Sequence, residues 1–432
     1  MDKHSQANAT GRTARAFMAV GDRIEVTAER WAHGGTAIGT YHQVVVFLSG
    51  ALPGETVHAT VTAVKKRHAE ATVIDGGITH PSPYRVQAVC PVAAAGGGCC
   101  DLTFVSQEGQ EKLAELTVRE QLQRVGGYDP ADIPTPTHHR LGEPGGYRTR
   151  VRLGVNSAGV PGVRKLNGTD IVPITTAQCV QNAPEINEAL AATAAAHRFS
   201  PGGEVVAALD SRGDVHIGEA AKAARGHRVS STLRLLQGSG AAIQKVGQES
   251  FHVPLAGFWQ AHAAAPQAYV DQVAAFCAEV PAGVMWDLYG GIGLLALPLR
   301  DRNAAAASSP AQDDDRAVAA VYSVESARVT RASKIDGIIY RHGDVASVVA
   351  QLPAPQAVVL DPPRKGAGEA VVRAIAAAKP RRVLHIGCDP ATFARDSAAW
   401  VASGYRLSSV DLFHAFPGTH HVETFGVFEP SA

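Results

Sequence analysis

Reactive and ionisable side chains stand where apolar runs of this chain end. Glu325 closes AVYSVE, Asp361 follows AVVL, Cys388 follows VLHIG, and Glu423 lies among apolar residues in FPGTHHVETFGVF. A thiolate is a strong nucleophile, and a base beside it completes the apparatus for covalent catalysis. A carboxylate half-buried at Glu423 would have a raised pKa and could serve as that base near neutral pH. Taken singly, Cys388 reads as packing, Glu423 as an exposed strand residue, and Asp361-Pro-Pro-Arg-Lys365 as a strand-ending turn. Three consecutive strand ends carrying Glu, Asp and Cys point instead to one crevice. Asp287-Leu-Tyr-Gly-Gly-Ile-Gly293 follows a strand and opens a helix, so its glycines allow a ligand close to the backbone. Glu325 then stands where an acid binds ribose hydroxyls, and Asp344 in RHGDVAS stands where one receives an adenine amino group. A nucleoside cofactor is the expectation.

A second group is thiol-based. Cys90, Cys99 and Cys100 lie in CPVAAAGGGCC and Cys179 follows later, in a chain whose N-terminus has no apolar signal segment. Clustered thiols without a secretory signal favour ligation over disulfides or packing, with iron–sulfur as the natural candidate and zinc as the alternative. In an extended segment Cys99 and Cys100 point to opposite sides, so Gly96, Gly97 and Gly98 would have to supply a bend. Cys277, in the helix-like AYVDQVAAFCAEV, is most simply a core residue.

These groups need elements to hold them. At 432 residues the chain exceeds a single core, and 45% hydrophobic with 19% charged residues is a globular composition. No stretch is apolar enough to span a bilayer, so the cytoplasm is expected, and a monomer is the simpler assembly. Lys plus Arg equals Asp plus Glu at 40 each, so no global field advertises nucleic acid. The local basic runs VKKRH, YRTRVRLG, RVTRASK and KPRR read equally as solvated faces or as RNA contacts.

Residues 1–16 read as a disordered arm. Residues 17–76 alternate in short runs (RIEVTAERW, TAIGTY, VVVFLSG, ETVHATVTAVKK, HAEATVID) that predict a small closed barrel of five strands. Residues 77–255 form an α+β region holding the cysteine group, with a helix over EKLAELTVREQLQRVGG facing inward through Leu113, Leu116, Leu122 and Val125. Residues 256–432 alternate apolar strands with Ala-rich helices, the pattern of a parallel doubly wound sheet with ligands at the carboxyl ends of its strands. Between Arg300 and Arg316, NAAAASSPAQDDD reads as a surface loop.

With these motifs in order, the chain resembles the RNA 5-methyluridine methyltransferases, the bacterial tRNA and 23S rRNA (uracil-5-)-methyltransferases. DLYGGIG is similar to their DLYCGxG, with Gly290 where cysteine or alanine is usual. GFWQAH is similar to FFQxN, with His262 in place of asparagine. LDPPRKG, CDPATFARD and FPGTHHVE resemble DPPRxG, CNPxTLARD and FPxTxHVE, and the barrel with LPGE at Leu52 to Glu55 resembles the TRAM domain. The resemblance spans nearly the whole chain. It implies a Rossmann-like α/β methyltransferase domain behind an OB-like all-β TRAM barrel and an α+β central domain. It implies S-adenosylmethionine as methyl donor and a uracil of RNA as acceptor, with rRNA favoured over tRNA. It makes Cys388 the nucleophile and Glu423 the proton acceptor, and assigns cofactor contacts to Gln260, Tyr289, Glu325 and Asp361. Many members also bind a [4Fe-4S] cluster through C-x5-C-x2-C and a later cysteine; Cys90, Cys99, Cys100 and Cys179 occupy the same regions with a different spacing.

The chemistry explains the residue types. Carbon 5 of uracil is a poor nucleophile until a thiolate adds to carbon 6, and afterwards a base must remove the carbon 5 proton before the thiolate leaves. Cytosine C5 methylation uses the same logic but commonly a Pro-Cys pair, whereas Gly387 precedes Cys388. Amino-group methylation wants an aromatic residue after DPP, where Arg364 stands. A lapsed RNA-binding or iron–sulfur module would not need Cys388 and Glu423.

Overall fold

The computed structural model describes residues 18–166, 168–174, 178–220, 233–308, 319–326 and 335–431. The expected N-terminal arm, the acidic part of the insert and the RVTRASK run lie outside the described residues. The chain divides into two compact units. One comprises residues 1–88, 101–117 and 418–420, and the other comprises residues 89–100, 118–417 and 421–432.

In the first unit, Arg23–Ala32 (β1), Thr36–Tyr41 (β2), Val44–Ser49 (β3), Thr56–Val64 (β4) and His68–Ile78 (β5) close into the expected barrel, in the order β1-β2-β3-β5-β4. Period-two alternation turns Ile24, Val26, Val46, Leu48, Val57 and Ala59 inward, each 5% exposed or less. LPGE has a structural task here. Glu55 is fully buried and accepts from Leu52 N at 2.7 Å, from Ser82 N at 2.9 Å and from Arg85 Nε at 2.6 Å. Burial alone would raise its proton affinity, but Arg85 and the backbone donors hold it below the ordinary carboxylate value. Removing one partner of such a pair typically costs about 3–5 kcal/mol, because a buried charge is left uncompensated.

After a short α1 (Pro91–Ala94), the helix α2 runs Gln107–Arg124. Its buried positions sweep half the circumference, from Leu113 through Thr117, Gln121 and Val118 to Leu122. Contrary to the sequence expectation, Leu116 and Val125 are 43% and 45% exposed: Leu116 points away from that sweep and Val125 lies past the helix end.

In the second unit a short strand, β6 (Thr137–Arg140), precedes a six-stranded antiparallel sheet. That sheet orders β12 (Arg234–Gln237), β11 (Val215–Ala220), β10 (Glu204–Leu209), β7 (Arg150–Val155), β8 (Pro161–Arg164) and β9 (Ile171–Pro173), with α3 (Pro184–Ala196) burying Ile186 and Leu190. The hairpin of β13 (Ala241–Val246) and β14 (Glu249–Pro254) follows.

The remaining elements are α4 (Ala265–Ala278), β15 (Val284–Leu288), α5 (Ala296–Ala307), β16 (Ala320–Glu325), β17 (Ile338–His342), α6 (Val345–Val349), β18 (Ala357–Leu360), α7 (Glu369–Ala377), β19 (Arg382–Gly387), α8 (Pro390–Ala402), β20 (Tyr405–His414) and β21 (Glu423–Pro430). Their sheet runs β17-β16-β15-β18-β19-β21-β20-β6. Strands β15 to β19 are parallel, and the order reverses between β15 and β18, which opens a crevice at their carboxyl ends.

Three details depart from the sequence reading. Strand β21 inserts antiparallel between β19 and β20, because the link 415–422 is too short for a crossover. Strand β6 joins the far edge, although THHR is too short and polar to announce itself. The first alanines of the insert extend α5, as alanine's helix propensity dictates, and are not loop. Among the described residues no helix is long and apolar enough to cross a membrane.

Candidate active site

Strand register decides which side chains meet. Asp287 pairs with Ser323 and with Val359, Val359 with Leu384, and Ile386 with Phe425. Paired residues share a face and alternate residues return to it. The same face therefore carries Asp287, Ser323 and Glu325, and by continued alternation Asp361 two beyond Val359, Cys388 two beyond Ile386, and Glu423 two before Phe425. Helix α4 covers this face through Tyr269, Val273 and Phe276, whereas α8 packs on the other through Phe393 and Trp400.

The glycine turn after β15 is tightly built. Tyr289 has φ 60, a left-handed backbone uncommon for a residue with a side chain and often found at functional sites. Ser323 Oγ donates to Asp287 Oδ2 at 2.9 Å, and a Cβ on Gly290 would collide with both side chains, so glycine is required in this chain. Gly291 N donates to Glu325 Oε2 at 3.0 Å, which ties the acid at the end of β16 to the turn. Asp344 caps α6 by accepting from Ser347 N at 3.1 Å. Burial, then the charges of Asp344, Asp396 and Glu325, push the Tyr289 hydroxyl up to about 12. Tyr289, Glu325 and Asp344 thus share one neighbourhood. Gln260 lies on the link before α4, which is pinned where Thr149 N donates to Ala261 O at 2.8 Å. Two residues on, His262 stacks on Tyr147 at 4.9 Å and accepts from Ala264 N through Nδ1; burial pushes it down to about 4, so it is neutral.

At the next strand ends, Cys388 is half-buried and accessible. Burial first, then the charges of Glu423 and Asp361, push its thiol up to about 12, while Arg364 acts the other way. Glu423 is 8% exposed, deeper than the sequence suggested. Burial and Asp361 raise it to about 8, again opposed by Arg364, and Asp361 itself is raised to about 7 by burial and Glu325. The structure therefore gathers a thiol and two proton-holding carboxyls, with one guanidinium acting on both Cys388 and Glu423. Such a pocket suits a cation and a reaction that moves protons near neutral pH.

Two contributors escaped the sequence reading. Arg364 stands in DPPR, but nothing local in that motif says that its charge acts on Cys388 and Glu423. Asp396 closes CDPATFARD, and its fully buried carboxylate accepts from Ala367 N at 2.7 Å and Gly368 N at 3.2 Å. It thereby ties the helix after Cys388 to the loop after Asp361. The turn itself is fixed by Asp389, which caps α8 by accepting from Thr392 N at 2.8 Å.

The four cysteines also converge. Cys90, Cys100 and Cys179 are buried in one apolar cluster, with Cys99 against it. Gly96 takes φ 89, and the Cys99 and Cys100 sulfurs lie 3.6 Å apart, so the chain does bend to bring both thiols together. Cys90 caps α1, its sulfur accepting from Ala93 N; a hydrogen bond from Cys100 is the main cause that lowers it to about 6. Among the described residues no three His, Cys, Asp or Glu side chains are arranged to hold a single metal ion. The donor set, four cysteine sulfurs in an apolar shell, is the one iron–sulfur clusters use. Cys277 is a core residue of α4, 1% exposed.

Known proteins resemble this chain in domains, in sequence and in fold. Residues 348–430 match the tRNA (Uracil-5-)-methyltransferase family and residues 18–74 match the TRAM domain. An uncharacterized RNA methyltransferase of Corynebacterium efficiens is 44% identical over 424 residues, covering 94% of this chain and 95% of the relative. A 23S rRNA (uracil(1939)-C(5))-methyltransferase of Shewanella is 28% identical, covering 94% and 96%. Among solved structures, the Pyrococcus abyssi tRNA (uracil-54, C5)-methyltransferase with S-adenosyl-L-homocysteine superposes with a TM-score of 0.67 at 16% identity, over 94% of this chain and 100% of that one, which speaks to fold.

Proposed function

We propose that this chain, which belongs to the RNA (uracil-5-)-methyltransferase family and depends on S-adenosylmethionine, methylates carbon 5 of a ribosomal uridine through a covalent adduct on Cys388. The observation that carries the reading is the shared face of Asp361, Cys388 and Glu423 at adjoining strand ends.

Bound S-adenosylmethionine supplies an electrophilic methyl group on a positive sulfonium. Gln260, Tyr289, Glu325 and Asp344 would hold its nucleoside side, and Asp361 would contact it from the neighbouring strand end. Cys388 adds to carbon 6 of the uracil, which makes carbon 5 nucleophilic. Glu423, held near 8 by burial, then takes the carbon 5 proton and the thiolate leaves. Arg364 lowers the proton affinity of both groups and so favours the charged forms the two steps need. The target base must leave its stack to reach this crevice.

Support for ribosomal RNA is the full-length similarity to the Shewanella enzyme together with the TRAM barrel and the cysteine group. Labelled S-adenosylmethionine with unmodified transcripts of bacterial 23S rRNA and tRNA tests this directly. Label should enter 23S rRNA and be recovered as 5-methyluridine; label confined to tRNA would overturn the rRNA assignment, and no 5-methyluridine from either would overturn the activity.

The thiol group is proposed to ligate a [4Fe-4S] cluster through Cys90, Cys99, Cys100 and Cys179. Protein purified without oxygen should be brown and contain iron, and iron content should fall in Cys100→Ser. Colourless protein carrying zinc would contradict it.

A further inference from the structure

The helix that covers the reactive face carries a polar group with no assigned task. Tyr269, on α4, is 1% exposed, and its ring meets Phe413 at 5.3 Å and Phe425 at 5.0 Å. These two aromatics bracket Glu423 on its own face, Phe413 as its cross-strand pair and Phe425 two residues along. The Tyr269 hydroxyl is buried and has no hydrogen-bond partner among the described residues. Buried tyrosine hydroxyls nearly always find a partner, and in an otherwise well-packed core an orphan donor beside a reactive crevice points to a ligand acceptor. The charges it feels are those of Glu423, then Asp361, then Cys388.

We infer that Tyr269 is a further catalytic residue of the reaction proposed above, its hydroxyl donating a hydrogen bond to the carbon 4 carbonyl oxygen of the target uracil. The inference rests on that reading of the function. When the Cys388 sulfur bonds to carbon 6, the electron pair of the carbon 5–carbon 6 double bond moves toward this oxygen and leaves an enolate. Carbon 5 then bonds the methyl carbon as the methyl–sulfonium bond breaks, its electron pair remaining on the donor's sulfur as a neutral thioether, and the carbonyl is restored. Glu423 takes the carbon 5 proton, the electron pair of that C–H bond re-forms the carbon 5–carbon 6 double bond, and the carbon 6–sulfur bond breaks to release the Cys388 thiolate. An anionic oxygen next to carbon 5 would otherwise face two carboxyl groups, so a neutral donor on the same face is what the developing charge requires. Burial and the surrounding acids keep Tyr269 protonated, and it therefore donates and does not act as a base.

The test is Tyr269→Phe, which removes the hydroxyl and keeps the ring. Formation of the covalent adduct would be timed with 5-fluorouracil-substituted 23S rRNA and tRNA transcripts and S-adenosylmethionine. Adduct formation should slow ten- to a hundredfold, on the scale of a lost hydrogen bond to a developing charge. The Kd for S-adenosylmethionine should stay within twofold, and Tm should hold or rise because an orphan hydroxyl has been removed. An adduct rate within twofold of wild type overturns the inference while the proposed function stands. So does a normal adduct rate with slow turnover, which would mean that Tyr269 acts through Glu423, or a parallel loss of Tm and cofactor affinity, which would mean packing. No adduct from the wild type with either transcript overturns the function and this inference together.

Discussion

Cys388→Ala should reduce methyl transfer by on the order of 10⁴-fold or more, since without sulfur addition to carbon 6 the acceptor carbon has no nucleophilic character. The same substitution should abolish the covalent band that wild-type protein forms on a denaturing gel with labelled S-adenosylmethionine and 5-fluorouracil-containing RNA. Folding should survive. Cys388 is half-buried at a turn whose geometry is held by the Asp389 cap and by Asp396, neither of which uses the sulfur. An unchanged Tm with no adduct is therefore the expected pair of results, and an adduct that persists would remove Cys388 as the nucleophile.

Glu423→Gln should separate the two halves of the reaction. Addition and methyl transfer proceed, but the carbon 5 proton stays and elimination slows by about 10² to 10⁴-fold, so protein accumulates on ordinary, unfluorinated RNA. The pH profile carries the sign. A base works ionised, and with Glu423 raised to about 8 the rate at which the wild-type methylated adduct resolves, followed once the Cys388 bond has formed, should climb with pH toward 8 and flatten above it; the variant should lose that limb. Stability runs the other way. A carboxyl raised from its ordinary 4.5 to about 8 by folding makes the protein lose stability as pH rises through that window, and glutamine removes that slope. Rapid, complete turnover by the variant would sink the base assignment.

The barrel and the nucleotide-type sheet were legible because each rests on short-range pattern: alternation with turn residues for one, apolar strands with Ala-rich helices for the other. The glycine turn and the strand ends that carry Glu325, Asp361 and Cys388 were legible for the same reason. What escaped depends on contacts distant in sequence. No local signal says that β21 slots between β19 and β20, or that THHR completes the sheet edge beside β20. Asp396 looks like an ordinary helix residue until the loop at Ala367 folds over it. Tyr269 looks like one of many apolar positions in an Ala-rich helix, and only its edge-on contact with Phe413 and tilted contact with Phe425 reveal what it faces. Adjacent cysteines such as Cys99 and Cys100 diverge in an extended chain, and the pair meets here behind a run of glycines in which Gly96 takes a left-handed backbone.

The alternation of the central sheet gives the reactive crevice a parity. Asp361, Cys388 and Glu423 each lie two residues from a core anchor: Val359, Ile386 and Phe425, all fully or almost fully buried. Inserting or deleting one residue between anchor and reactive group would send that side chain to the α8 face while leaving composition and core nearly intact. The three one-residue spacers, Leu360, Gly387 and Thr424, therefore tolerate no change of length without loss of the crevice.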